Sequence, residues 1–472
     1  MPTECIQKSF AFHGLFRREV VARFNGGDMT SDGGGLLLRE VEQRTGILRQ
    51  FAVCFTDHRA PDLVEHTVAE LVGQRVYALA LGYEDLNDHD DLRGDPLLAT
   101  LVGKTDPTGE DRIRGRDTGK PLAGKSTLNR LELTAADAGP ESRYKKIVVD
   151  PDSVDQLLVD IFLQAHRHPP QQIVLDLDAT DDPLHGEQEG RFFHGYYGCY
   201  CYLPLYIFCG EFLLCARLRP SNIDASAGAV EEVRRLVGQI RAAWPQVEIV
   251  LRADSGFARE SLMRWCEEQA VDYVFGLAKN NRLTRTIGRE LHRAHKQHQN
   301  TGVPARVFRD FLYKTRTSWS RRRRVVGKAE HLMAGPNPRF IVTSLPAGAW
   351  EARSLYEDLY CARGDMENRI KEQQLYLFAD RTSAATMRAN QIRLWFSSIA
   401  YLLMQALRRL GLKGTALAQA QCQTIRLKLL KIGAQVRITV RKVWVALASS
   451  SPYAALFAQV YRNLQTVTPL NR

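Results

Sequence analysis

Apolar residues repeat at helical spacing over the first 140 residues, and one strong segment of this kind runs from Leu63 to Leu81. From residue 171 the pattern changes to short apolar runs bounded by turn residues, which are typical of buried strands. These runs and the amphipathic segments between them predict the order β-β-β-α-β-α-β, over residues 171–178, 200–209, 212–218, 225–244, 248–254, 259–270 and 272–277.

This order of elements predicts a fold. Three antiparallel strands followed by alternating helices and strands are the order of a ribonuclease H-like core. We therefore predict an α/β fold whose ribonuclease H-like catalytic core is a mixed β-sheet flanked by helices. Residues 171–278 form its first part, residues 279–350 are a β-rich basic insertion, and residues 351–412 return to helix and complete the core.

The net charge of +11 is distributed unevenly. From Arg381 to Arg472 the chain has 14 Lys and Arg residues and no Asp or Glu, so residues 1–380 carry a net charge of −3. A basic segment of this kind suits a polyanionic partner. The solvated face of a helical tail would have the same composition.

Two features of the sequence bear on the cellular compartment of the protein. The nine cysteines are an odd number, and the first residues do not form a secretory leader, so we expect reduced thiols in a cytoplasmic protein. The longest apolar helical segment, Ile392 to Leu412, contains three arginines. It therefore predicts a core helix, and we expect no membrane association.

Two carboxylates end predicted buried strands. Asp178 ends the run that begins at Ile173, and Asp254 ends the run that begins at Val247. The first and fourth strands of a ribonuclease H-like sheet are neighbours, so the two carboxylates should converge, and carboxylate oxygens are ligands that Mg²⁺ prefers. Asp176 lies on the same strand face and is an alternative ligand. Asp178 is nearer the strand end, which suits an exposed ligand.

A helical segment supplies a third carboxylate. Five polar residues share one face of this helix: Tyr360, Arg363, Glu367, Lys371 and Gln374. On that face Glu367 can bind metal while Arg363 and Lys371 contact phosphate. The same spacing suits an exposed helix held by Arg363–Glu367 and Glu367–Lys371 pairs, and spacing alone does not decide between the two.

A basic cluster lies between the second and third acidic motifs. It consists of Trp319, Arg321, Arg322, Arg323 and Arg324. An aromatic residue beside arginines suits phosphate contact and base stacking. The alternative is the polar end of a β-hairpin.

Residues 119–126 match the phosphate-binding pattern G-x4-G-K-[ST]. That loop binds phosphate only where a buried strand leads into it. Residues 109–118 are polar and charged and cannot form such a strand, so we predict no nucleoside triphosphate binding.

Three motifs taken together resemble a known family. They are Asp178-x-Thr180, Arg252-Ala-Asp254-Ser-Gly-Phe257 and the Tyr-Arg-Glu signature Tyr360-x2-Arg363-x3-Glu367. With further matching stretches from Ser31, Leu81 and Leu122, the chain resembles the DDE transposases of bacterial insertion sequences, more narrowly transposase DDE domain group 1, over about residues 20–450. The family has a lysine seven residues after the glutamate, where this chain has Gln374, and Lys371 is the nearest basic residue on that face.

The resemblance implies a metal-dependent site and its partners. Asp178, Asp254 and Glu367 would hold two Mg²⁺ ions, for which Mn²⁺ can substitute, and would catalyse DNA cleavage and strand transfer at terminal inverted repeats. Tyr360 and Arg363 would hold phosphates near the cut. The partners would be double-stranded element-end and target DNA, bound by a homodimer through a mostly helical N-terminal region (1–140) and a helical basic C-terminal region for DNA binding or dimerisation (413–472). Two other hypotheses remain: a structure-specific nuclease on the same fold that does not transfer strands, and a catalytically inactive, transposase-derived DNA-binding protein.

Overall fold

The computed structural model describes residues 9–468 of the chain, so residues 1–8 and 469–472 of the two predicted terminal regions lie outside the described residues. The chain divides into two compact units. The described part of the first comprises residues 9–150, 376–378 and 399–468, and the second comprises residues 151–375 and 379–398.

Residues 9–150 of the first unit contain short strands and longer helices. The strands are β1 (Ser9–Leu15), β2 (Arg18–Arg23), β3 (Met29–Thr30), β4 (Phe55–Asp57) and β5 (Ile147–Val149), and the helices are α1 (Leu36–Thr45), α2 (Ile47–Val53), α3 (Val68–Leu81), α4 (Asp88–Leu92), α5 (Pro96–Val102) and α6 (Lys125–Glu132). Helix α3 is the helix predicted over Leu63–Leu81, and it begins five residues later than predicted, at Val68. A capping box between Thr67 and Glu70 begins it, and Gly82 in the left-handed conformation ends it.

The second unit is built on one large mixed sheet. The strands of this unit are β6 (Gln172–Ala179), β7 (Asp182–Pro183), β8 (Phe192–His194), β9 (Cys199–Tyr202), β10 (Leu205–Cys209), β11 (Phe212–Arg217), β12 (Glu248–Ala253), β13 (Asp272–Leu277), β14 (Ala305–Tyr313), β15 (Arg323–Leu332), β16 (Gly335–Pro336) and β17 (Arg339–Thr343). The large sheet has the order β11-β10-β6-β12-β13-β17-β15-β14, with β16 paired to β15, and the short strands form a separate sheet of order β7-β9-β8. The pairs β6–β12 and β12–β13 are parallel and the others are antiparallel.

Helical segments pack on both faces of this sheet. The helices over residues 151–377 are α7 (Pro151–Gln164), α8 (Ala229–Ala243), α9 (Glu260–Glu268), α10 (Asn281–Thr286), α11 (Gly288–Thr301), α12 (Ala352–Ser354) and α13 (Gly364–Leu377), with a π-helical turn over Leu355–Tyr360 and a 3₁₀ turn over Cys361–Arg363 before α13. Alternate residues of β6 and β12 belong to two hydrophobic cores, one on each face of the sheet. Leu175 and Leu251 pack with α8 and α9 on one face, whereas Val174 and Val250 pack with the π-helical turn on the other.

Two details of this unit differ from the sequence prediction. The predicted strand 200–209 is divided into β9 and β10 at Pro204, because proline has no N–H to donate to a strand ladder. The predicted insertion 279–350 is β-rich but also contains α10 and α11, and its strands β14, β15 and β17 extend the large sheet.

The C-terminal part of the chain mixes helices and strands. Its elements are α14 (Met387–Ala406), a π-helical turn (Leu407–Gly411), α15 (Cys422–Ile425), a second π-helical turn (Arg426–Leu430), β18 (Ala434–Thr439), β19 (Lys442–Leu447) and α16 (Ala454–Gln465). The sequence predicts a helical region here, whereas β18 and β19 pair as an antiparallel hairpin. β-branched and aromatic residues such as Val436, Ile438, Val443 and Trp444 favour strands. No helix within residues 9–468 has the length and apolar character to span a membrane.

A buried ion pair joins the two central strands of the large sheet. Asp176 on β6 and Arg252 on β12 face each other in register. The Arg252 Nε lies 2.5 Å from Asp176 Oδ1 and its Nη2 lies 2.8 Å from Oδ2. The remaining Arg252 Nη1 donates to the Leu359 carbonyl at 2.6 Å, in the π-helical turn. One guanidinium therefore ties two strands to the helical segment that leads into α13.

We expect Arg252→Leu to destabilise the second unit by about 3–5 kcal/mol, because the substitution leaves the Asp176 carboxylate buried without its partner. The measurement is the urea midpoint of the transition of this unit. Arg264→Leu is the matched control, since its pair with Glu268 is more than half exposed on both sides and should contribute little to stability. Equal midpoints for the two variants would refute the structural role of Arg252.

Candidate functional site

Asp178 lies on β6, and Asp254 directly follows the last residue of the parallel strand β12. The register pairs residues with an offset of 76, as in Asp176–Arg252, and the same offset separates Asp178 from Asp254. Both side chains line one cavity of about 710 Å³. The two carboxylates therefore converge, as the predicted strand order requires.

Asp176, the alternative ligand, has a different environment. It is 4% exposed, and both of its oxygens accept hydrogen bonds from Arg252. A carboxylate whose oxygens are already held by a buried guanidinium is not free to bind a cation. Asp178 is therefore the candidate ligand on β6.

The third carboxylate reaches the same cavity from α13. Arg363, Glu367, Lys371 and Gln374, which the helical spacing places on one face, all line the cavity. The approach is set by the π-helical turn before α13, whose apolar residues Leu355, Tyr356 and Leu359 pack on the sheet.

Unlike the other residues of this predicted helical face, Tyr360 does not line the cavity. A Cβ on Gly276 of β13 would lie 2.6 Å from the Tyr360 hydroxyl oxygen and 2.8 Å from the Ser255 backbone nitrogen. Tyr360 therefore packs against β13 and the turn that follows Asp254, at a position where a side chain on residue 276 would not fit.

Arg363 bridges two of the carboxylates. Its Nη1 lies 3.4 Å from Asp178 Oδ2, and its Nη2 lies 2.5 Å from Glu367 Oε1. Burial raises the pKa of the Asp178 carboxyl to about 6 from its ordinary value of 3.8; Arg363 opposes this rise, while the charges of Asp254 and Glu367 add to it. The carboxylates therefore repel one another, and a cation among them relieves that repulsion.

The chemistry of this donor set fits a hard divalent cation. Three carboxylates from β6, from the end of β12 and from α13 offer only oxygen donors, which suit Mg²⁺ or Mn²⁺. Within residues 9–468, no three acidic, cysteine or histidine side chains are close enough together to enclose one metal ion. In this cavity the Arg363 guanidinium holds Asp178 and Glu367, so a metal ion shared by those carboxylates would replace it.

Lys371 and Gln374 are placed differently within the cavity wall. The Gln374 amide donates to the Asp181 carbonyl at 3.1 Å. Lys371 is exposed and forms no ion pair with a described residue. Of the two pairs that the alternative of an exposed helix would form, Arg363–Glu367 is therefore present and Glu367–Lys371 is absent. Lys371 therefore contributes a positive charge at the cavity that is not paired with a described residue.

The basic cluster at residues 319–324 is largely occupied by internal contacts. Trp319 is 4% exposed and packs edge-on against Tyr313. Arg323 is buried between Glu260 and Glu267, and Arg324 is paired with Asp310 at 2.7 Å.

This arrangement corrects the prediction that Trp319 is available for base stacking, because its indole belongs to the core. Arg321 is exposed and contacts Glu267 at 2.7 Å, and Arg322 is exposed. Only these two arginines of the cluster have side chains open to a phosphate.

The segment that matches a phosphate-binding loop has another role. No strand leads into α6, and the first backbone N–H of that helix, at Lys125, donates to Asp90 Oδ1 at 3.0 Å. A carboxylate at this N-terminus occupies the position that a phosphate would take.

Sequence reasoning missed the ring-bearing side chains of the carboxylate cavity. His194, the last residue of β8, and Tyr196 and Tyr197, in the turn that leads to β9, line it. The signal was present as a run of aromatic residues between Gly195 and Gly198, but only the tertiary fold brings that turn to Asp178.

Comparison with known proteins identifies the family. The family model of "Transposase DDE domain group 1" matches residues 12–469. A search of curated proteins found no match. Among solved structures, the chain is similar to a cryo-EM structure of the piggyBac transposase synaptic complex with hairpin DNA, with 10% identity, a TM-score of 0.40, and coverage of 93% of this chain and 86% of that chain. At that TM-score the likeness does not define the fold or the function. The match of the family model over nearly the whole length shows that the chain belongs to the family of transposase DDE domain group 1.

Proposed function

We propose that this protein is a metal-dependent DNA transposase that cleaves DNA at the terminal inverted repeats of a bacterial insertion sequence and transfers the freed ends to target DNA. The observation that carries the proposal is the convergence of Asp178, Asp254 and Glu367 on one cavity in a member of this family.

The topology supports a ribonuclease H-like core as the frame of this site. Three antiparallel strands, β11, β10 and β6, are followed by the parallel neighbours β12 and β13. Under this proposal, the strands β14, β15 and β17 belong to an insertion that continues the same sheet beyond the core.

Asp178, Asp254 and Glu367 are the proposed ligands of two Mg²⁺ or Mn²⁺ ions. Such ions, when bound, stabilise the attacking and leaving oxygens of a phosphodiester. Once the carboxylate charges are neutralised, Arg363 is released to bind a DNA phosphate through its paired N–H donors. Lys371 adds a second positive charge at the same cavity.

The charge distribution supports a DNA partner. From Arg381 onward the chain has basic residues and no acidic residue, which suits the phosphate backbone of double-stranded DNA. We propose that residues 1–140 and 413–472 bind the inverted repeats. Because two element ends must be processed together, we propose a homodimer on DNA. No nucleoside triphosphate is part of this proposal.

We expect each of Asp178→Asn, Asp254→Asn and Glu367→Gln to lower DNA cleavage by about 100-fold or more, because each removes a ligand charge while keeping the size of the side chain. The assay measures cutting and joining of a duplex that carries the ends of the element. Asp365→Asn, which alters an exposed acid on the same helix, is the matched control and should cut normally.

Each outcome of this assay separates the hypotheses. Cutting without joining by the wild-type protein would identify a nuclease. Binding of element ends without cutting would identify an inactive DNA-binding protein. Full activity in any one of the three carboxylate variants would remove that residue from the site.

We expect the affinity for Mn²⁺ to fall as the pH drops below about 6, because a protonated Asp178 carboxyl cannot bind metal and its pKa is raised to about 6. Arg363→Gln should move the fall to higher pH, since the guanidinium lowers this pKa, and Arg363→Lys, which keeps the charge, should not. Calorimetric titration of the DNA-free protein between about pH 5 and about pH 8 measures the effect. An affinity that does not change over this range would contradict the assignment of Asp178.

A further inference from the structure

An unusually exposed group of aromatic residues borders the carboxylate cavity. Strands β8 and β9 form a hairpin, here called the aromatic hairpin (residues 192–202), which lies in the connection between β6 and β10. Phe193, Tyr196 and Tyr200 are 57%, 86% and 45% exposed. Large aromatic side chains usually bury most of their surface, so a cluster of this kind marks an interaction surface.

The turn of the aromatic hairpin is fixed to the strand that carries Asp178. Tyr197 donates from its hydroxyl to the Ala179 carbonyl at 3.3 Å, one residue beyond Asp178. Its ring also contacts His194, with centroids 4.9 Å apart. Gly198, which has a φ of 69°, donates to the His194 carbonyl at 2.8 Å and closes the turn. The turn is therefore held at the cavity.

Tyr196 has a different position from Tyr197. Its ring meets the Tyr197 ring edge-on, with centroids 5.0 Å apart, and most of its surface is open. Tyr196 lines the same cavity as Asp178 and Glu367. A planar ring that is supported on one side and exposed beside a phosphodiester-cutting site can accept a flat, apolar ligand.

A second aromatic pair continues the surface along the hairpin. Phe193 and Tyr200 are cross-strand partners, with ring centroids 5.5 Å apart. The Arg191 guanidinium lies 4.0 Å from the Tyr200 ring centroid and also pairs with Glu187 at 2.6 Å. An arginine stacked on an aromatic ring beside further rings is a combination that suits nucleic acid.

We propose that the aromatic hairpin stacks an unpaired DNA base next to the phosphodiester that is cut, with Tyr196 as the residue that contacts the base. This inference rests on the proposed function. A phosphodiester drawn out of the regular duplex into the cavity unstacks the neighbouring base, and an exposed aromatic ring replaces the lost stacking. Tyr197 is a positioning residue that holds Tyr196 at the cavity.

The continuity of the hairpin with the cavity favours DNA over a second protein chain as the occupant. Three of its residues, His194, Tyr196 and Tyr197, form part of the cavity wall with the proposed metal ligands. A protein chain docked there would cover the site at which the phosphodiester must bind. Dimerisation through this surface is therefore an outcome that the experiment has to distinguish.

The experiment is a cycle that combines Tyr196 variants with modified DNA. The full-length wild-type protein, Tyr196→Ala and Tyr196→Phe are tested in single-turnover cleavage of an element-end duplex. The duplex is used intact and with an abasic residue at each position that flanks the cut. Tyr144→Ala is the matched control, because Tyr144 is an exposed tyrosine of the other unit, at 61% exposure.

We expect Tyr196→Ala to cut intact DNA about 5- to 150-fold more slowly than the wild-type protein, because it loses one base–aromatic stacking contact. Tyr196→Phe, which keeps the ring, and Tyr144→Ala should stay within about twofold of the wild-type rate. At one flanking position the abasic duplex should remove the difference between wild type and Tyr196→Ala, because the base that the ring contacts is absent. The fluorescence of 2-aminopurine at that position should be quenched by the wild-type protein and not by Tyr196→Ala.

Three outcomes would overturn the inference. In the first, Tyr196→Ala cuts intact DNA at the wild-type rate. In the second, Tyr196→Ala is slower than the wild-type protein by the same factor on every abasic duplex as on intact DNA. In the third, Tyr196→Ala no longer dimerises, and its cleavage rate does not depend on whether any flanking base is present. If the wild-type protein fails to cut intact DNA, the proposed function itself fails, and this result differs from each of the other three.

Discussion

The bidentate ion pair between Arg252 and Asp176 is the interaction on which the geometry of the site depends. It fixes the register of β6 and β12 and, through the Leu359 carbonyl, the segment that leads into α13. Because the register offset is 76 residues, it brings Asp178 beside Asp254. The pair also occupies both oxygens of Asp176. One acidic residue of β6 therefore stabilises the fold, and the next acidic residue on that face, Asp178, can bind metal.

The negative charges of the three carboxylates connect the geometry of the site to metal binding. Asp178, Asp254 and Glu367 repel one another in a partly buried cavity, and Arg363 supplies the positive charge that Asp178 and Glu367 share. A divalent cation is a stronger counter-charge for the same oxygens. Exchange of Arg363 from carboxylate to phosphate would then couple metal binding to DNA binding, since the guanidinium is released where the phosphate arrives.

Much of this frame could be predicted from the sequence, because buried strands and helical faces leave periodic signals. The two aspartates end apolar runs, and the spacing of Arg363, Glu367 and Lys371 matches one helical face. Contacts between distant segments leave no such signal. The burial of Trp319 by tertiary packing, the division of a strand at Pro204, and the position of the Tyr196 turn beside Asp178 all required the structure.

The central claim is that Asp178, Asp254 and Glu367 bind the metal ions that cut DNA. A change of ligand chemistry tests this most directly. In Asp254→Cys, a thiolate replaces the carboxylate, and Mn²⁺ accepts sulfur more readily than Mg²⁺ does. The account predicts that this variant fails to cut element-end DNA in Mg²⁺ and regains cutting in Mn²⁺. Cutting at the wild-type rate in Mg²⁺ would contradict it.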